Sequence, residues 1–138
     1  ADFMFSKLRE GGLMQAEYLA ACFILKAGHS IELNSIEFDV LLRQSDPSKE
    51  LADIIQFWRI QQLWERLLGH SELALVALPL TFSERLCQQS GVDTIEALIL
   101  KKQRYSKKVQ SLMDDFFEDE YLSVTALEEW LETKVTWL

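Results

Sequence analysis

The chain has 138 residues, 49% hydrophobic and 11% aromatic, with a formal net charge of −8. That is enough apolar material for one domain with a buried core, too little length for two comfortable ones, and too hydrophobic for a disordered chain. The acidic balance argues against a phosphate-backbone binder, which needs clustered Lys and Arg, and no apolar run reaches the roughly 18 residues that span a bilayer.

Residues 2–10 read as a short amphipathic turn that Gly11-Gly12 interrupts. From Leu13 to Ala27 the spacing predicts a helix, with Ala16, Leu19, Ala20, Phe23 and Ala27 on one face. Gly28 fits the left-handed residue that ends it. Asn34-Ser35-Ile36-Glu37 has the capping-box pattern and opens a helix to about Arg43. Asp46-Pro47 then restarts the chain, Asp46 as cap and Pro47 at the first helical position.

The stretch Leu51–Leu68 contains no Gly or Pro and carries Trp58 and Trp64. At about 100° per residue its apolar face changes halfway along. Leu51, Ile54, Ile55 and Trp58 share one side; Phe57, Ile60, Leu63, Trp64, Leu67 and Leu68 share nearly the opposite one. A helix resting on a single core shows one stripe and a polar back. This one calls for cover on two sides, and residues 13–43 and 82–135 carry the apolar stripes to supply it.

After Gly69 comes a short apolar segment, Glu72–Leu78, and then Pro79. Thr81-Phe82-Ser83-Glu84 is a second capping box, opening a brief helix that closes at Gly91. Asp93-Thr94-Ile95-Glu96 opens the longest helix, striped by Ile95, Leu98, Ile99, Tyr105, Val109, Leu112, Met113 and Phe116. A last helix begins near Ser123 or Thr125 and carries Leu127, Trp130, Leu131 and Val135. The expected fold is all-α: an irregular bundle of about six helices around a central buried helix near 51–68, in one domain spanning 1–138. An Ala1 start and an abrupt stop at Leu138 are consistent with a piece of a larger protein.

Catalytic and metal-binding patterns are hard to find. His29 and His70 follow similar Gly-His-Ser turns, read as two helix stops rather than an internal repeat. Neither lies at zinc-ligand spacing from Cys22 or Cys87. Those cysteines sit among helix-type apolar residues and read as reduced, buried thiols in a cytoplasmic protein, with a Cys22–Cys87 disulfide as the alternative. The segment Ile24–Phe38 has a helix–loop–helix contour. Lys26, Gly28, Ser30 and Ile31 stand where a calcium loop needs oxygen ligands and a Gly, so calcium binding is not supported. No phosphate-binding Gly loop or nucleophile elbow is present, and nothing calls for a cofactor.

The long helix is the unusual element electrostatically. Lys101, Lys102, Arg104, Lys107 and Lys108 form a cationic block, and Asp114, Asp115, Glu118, Asp119 and Glu120 form an acidic one. Opposite charges on one helix normally alternate at i and i+4, and acids at a helix C-terminus oppose its dipole. Two readings follow: a chain break near Met113, or two blocks that each meet opposite charge elsewhere. The expected function is a non-enzymatic protein-interaction domain, an adaptor, regulator or assembly component. The alternative is an accessory domain of a larger enzyme, or a small helical enzyme whose site would have to gather His29, His70 or the acids. The candidate partner-binding residues are Lys101, Lys102, Arg104, Lys107, Lys108, Asp114, Asp115, Glu118, Trp130 and Trp137, with Trp58 and Trp64 as further aromatic anchors. The partner is a protein, a second copy being one option, and neither a nucleic acid nor a membrane.

Overall fold

The computed structural model describes residues 6–7, 9–29, 35–46, 49–68 and 78–120, and among these the chain is all-helical, without a strand. In order come α1 (Leu13–Lys26), α2 (Ser35–Ser45), α3 (Leu51–Leu67), α4 (Leu80–Ser90) and α5 (Ile95–Glu120). The helix expected from Ser123 or Thr125, residues 72–77 of the short apolar segment, and residues 2–5 and 8 of the expected N-terminal turn lie outside the described residues. None of the described helices is long and apolar enough to cross a membrane.

The helix stops follow the glycines. Gly28 and Gly91 have φ of 91° and 74°. Past each, two amides bond backwards: Gly28 N to Leu25 O and His29 N to Ile24 O after α1, and Gly91 N to Gln88 O and Val92 N to Cys87 O after α4. These are Schellman closures, which occupy carbonyls that the last turn would otherwise leave bare.

The starts differ from the expected boxes. Asp46 does cap α3, but from outside it: its Oδ2 accepts the Leu51 amide at 2.6 Å, while the helix begins five residues after Asp46. Asp46 is only 1% exposed, and Lys49 between them takes a left-handed φ of 62°. The helix therefore opens at Leu51, and Pro47 lies outside the described residues. Around α4, Pro79 stands at the N-cap and no side chain caps the first turn; the Ser83 hydroxyl donates to Leu80 O instead. For α5 the cap is Thr94, not Asp93, its Oγ1 accepting Ala97 N–H at 3.1 Å. Asn34, expected to cap α2, lies outside the described residues.

Helix α3 is central: its backbone lies close to α1, α2 and α4. Leu51, Ile54, Ile55 and Trp58 are all buried, as expected of the first face. That face does not end at Trp58. It continues through Gln61 and Glu65, which lie at helical spacing from it and are also buried. Each has a partner: Gln61 Nε2 donates to Ser90 Oγ at 2.7 Å, and Glu65 accepts the Ser6 amide at 3.1 Å and the Ser6 hydroxyl. The apparent switch of face is thus a buried stripe that turns polar. On the second face Phe57 is buried, Ile60, Trp64 and Leu68 are half-buried, and Leu63 and Leu67 are exposed. Helix α4 reaches this side through its last turn, with Trp64 Nε1 donating to Gln89 Oε1 at 2.8 Å.

Residues 6–7 and 9–12 bridge α3 and α5. Leu13 N donates to Ser6 O and Gly12 N to Arg9 O, and Gly11 N donates to the Gln15 side chain. Gly11 lies directly against the backbone of Ser106 on α5. Aromatic rings close the rest of the core: Phe23 against Phe116, Tyr18 against Phe117, and Phe57 against Tyr105, with centroids 4.9–5.9 Å apart. Such tilted and edge-to-face pairs add to simple area burial.

Candidate functional site: the outward face of α5

Helix α5 has 26 residues without Gly or Pro, and it runs unbroken through Met113, which is buried. A break there, one of the two readings of the charge pattern, is therefore overturned. Both charge blocks belong to one continuous helix, about 39 Å long at 1.5 Å per residue. Its inward face carries Leu98, Lys102, Ser106, Val109, Met113 and Phe116, all buried. Its outward face carries Glu96, Leu100, Gln103, Arg104, Lys107, Ser111, Asp114, Asp115 and Glu118, all exposed.

The cationic block splits between these faces. Lys102, expected on a docking surface, is 3% exposed and lies on the inward stripe. The helical register is the reason, since Lys102 follows Leu98 by one turn and precedes Val109 by two. Lys101 is also engaged internally. Its ammonium donates to Ser90 O at 2.6 Å and sits over the rings of Phe57 and Tyr105, 5.2 and 5.3 Å from their centroids. Burial, then the neighbouring Arg104, lowers its pKa. Lys101 thus ties the end of α4 to α3 and α5, a structural use of a cation–π contact. Lys108 is partly exposed and stands 3.9 Å from Glu50.

Arg104 and Lys107 remain as the outward cations, with Arg104 against the Tyr105 ring at 5.8 Å. Asp114, Asp115 and Glu118 are the outward acids; Trp130 and Trp137 lie outside the described residues. Among the described residues, none of these five charged groups forms an ion pair within 4.0 Å. Inside the helix, the i, i+4 neighbours are like-charged, Arg104 with Lys108 and Asp114 with Glu118. Each such pair opposes the helix by a few tenths of a kcal/mol, and the acids sit toward its negative end. The outward face therefore carries an electrostatic cost, relieved among the described residues only where Lys108 stands near Glu50. Ile99, counted in the apolar stripe, is exposed, as is Leu100 at 63%. Leu100 carries neither a charge nor an aromatic ring, and only its place one turn before Arg104 on the helical wheel marks it in the sequence.

His70 lies outside the described residues. Among the described residues no three His, Cys, Asp or Glu side chains gather where a metal ion could bind, and His29 is exposed beyond the end of α1. Trp58, proposed as an anchor, is fully buried. Cys22 and Cys87 are both free and buried, and burial raises both thiol pKa values. Tyr18 shares a hydrogen bond with Cys22. Burial, with a smaller contribution from Cys22, pushes the phenol up to about 12 from its ordinary 10. The folded state thus holds this proton more tightly than the unfolded chain. The associated stability is intact below pH 10 and is lost as the pH climbs through about 12. Tyr18→Phe should flatten this alkaline decline in urea titrations taken at successive pH values; an unchanged slope would show that the phenol is not its source.

No family model, curated protein or solved structure matches the chain.

Proposed function

We propose that this chain is a helical protein-interaction domain that docks through the outward face of α5. The observation that carries the reading is the lengthwise order on that face: exposed Leu100, then the cations Arg104 and Lys107, then the acids Asp114, Asp115 and Glu118. A solvated helix face gains from alternating charges at i and i+4, and this face lacks them. A partner with the opposite order would relieve the like-charge neighbours, while Leu100 and Ile99 supply apolar contact at one end. Charge order of this kind fixes register and partner choice more than raw affinity.

The test is affinity capture from the source cell with quantitative mass spectrometry, comparing wild type with R104E/K107E. Both positions are exposed, so the variant should keep its helical circular dichroism. Lys101 and Lys102 are left intact because reversing them would disrupt internal contacts. The expected result is a specific partner, or a second copy, that the variant loses. Equal recovery with both proteins would remove α5 from the reading.

A further inference from the structure

The charge order on α5 is self-complementary. Ser111 is exposed and lies at the middle of the outward face, with Arg104 and Glu118 each seven residues away from it. Lys107 and Asp114 lie four residues before it and three residues after it. If a second α5 runs antiparallel to the first, with the two-fold axis beside Ser111, cations on each helix come level with acids on the other. Arg104 then faces Glu118 about 10 Å from the axis, and Lys107 faces Asp114 about 5–6 Å from it. Helical angles agree with heights: at about 100° per residue, Lys107 and Asp114 lie on one side of Ser111, and Lys108 and Asp115 on the other. The small Ser111 side chain leaves room for two backbones to approach at the axis. A parallel arrangement would put cation on cation and acid on acid.

We infer that the occupant of this face is a second copy of the chain, bound as an isologous antiparallel α5 pair centred on Ser111. This inference rests on the docking reading above and names its partner. Isologous contacts require each patch to be its own complement, and this face meets that condition. In this arrangement association depends chiefly on screened charge pairs.

Sedimentation equilibrium of the folded chain over a wide concentration range tests it. Wild type should dimerise at low ionic strength and weaken by roughly tenfold or more as salt shortens the screening length. R104E/K107E and D114K/E118K should each lose self-association by at least roughly tenfold, because like charges then face each other. An equimolar mixture of the two should associate as a heterodimer. The fourfold variant R104E/K107E/D114K/E118K, with its order inverted, should regain the homodimer. R104Q/K107Q gives a second reading if a reversal unfolds the chain, and should weaken the dimer without making it repulsive. A wild type that stays monomeric at every salt concentration overturns the inference, as does a mixture that fails to associate. A monomer that still captures a cellular protein through Arg104 and Lys107 overturns the second-copy assignment and leaves the docking reading standing. A monomer whose capture is indifferent to those residues overturns both.

Discussion

Gly11→Ala is expected to destabilise the fold by about 3–5 kcal/mol, the range of the most damaging single substitutions. Two causes add. Gly11 has φ of 69°, where an L side chain is strained by about 1–2 kcal/mol. A Cβ there would also overlap the Ser106 carbonyl oxygen and lie 2.6 Å from its carbonyl carbon and Cα. Both partners are backbone, one within a long helix, so neither can rotate away. The turn would have to lift from α5, and the Ser6–Glu65 bonds on α3 would go with it. That would leave a buried carboxylate short of donors, itself costly. Gly12→Ala should behave similarly, since its Cβ would lie 2.8 Å from Arg9 O and closer still to Ser6 O. Equilibrium urea unfolding followed by circular dichroism measures both. A loss below about 1 kcal/mol for Gly11→Ala would mean that the turn is not held against α5 as described.

Trp58→Ala should cost about 3–5 kcal/mol, and Trp58→Phe no more than about 1 kcal/mol. Trp58 has 0% exposure, packs edge-on to Phe57 and carries the Arg9 guanidinium 5.6 Å from its ring. Truncation to Ala leaves a large cavity in the middle of α3, where α1 and α2 also pack. The indole N–H, however, is buried without a hydrogen-bond partner among the described residues. Phe removes that unpaired donor, a gain of about 1–3 kcal/mol that offsets the smaller ring and its residual void. The contrast between the two substitutions is the measurement. If Phe proved as damaging as Ala, the indole nitrogen would have to be bonded after all. If Ala proved mild, Trp58 would belong to a surface, as its aromatic character first suggested.

Much of the fold could be read from periodicity and punctuation. The helical class, the Leu13 start, the left-handed stops at Gly28 and Gly91 and the inward residues Leu98, Val109, Met113 and Phe116 all follow from spacing that local geometry imposes. The helix starts were less legible, because a capping-box pattern says only that a cap is available. Thr94 displaced Asp93, and Asp46 caps α3 from across an intervening turn. On α3, Gln61 and Glu65 look like a polar back in the sequence. Only the packing of Ser90 and Ser6 against them shows that they continue the buried stripe.

The candidate surface was legible in its charges and illegible in its membership. Five cations stood together along the chain, but only register and neighbours separate Lys101 and Lys102, which are held inside, from Arg104 and Lys107, which are not. The amino-acid sequence by itself determined the helices, because i, i+3 and i+4 spacing, glycine stops and the absence of Pro in 95–120 act locally. Tertiary structure alone decided which polar groups are core and which are surface. That depends on the element opposite: a carbonyl at Ser90 and two aromatic rings bind Lys101, whereas Arg104 faces outward on an unbroken helix with no ion pair among the described residues.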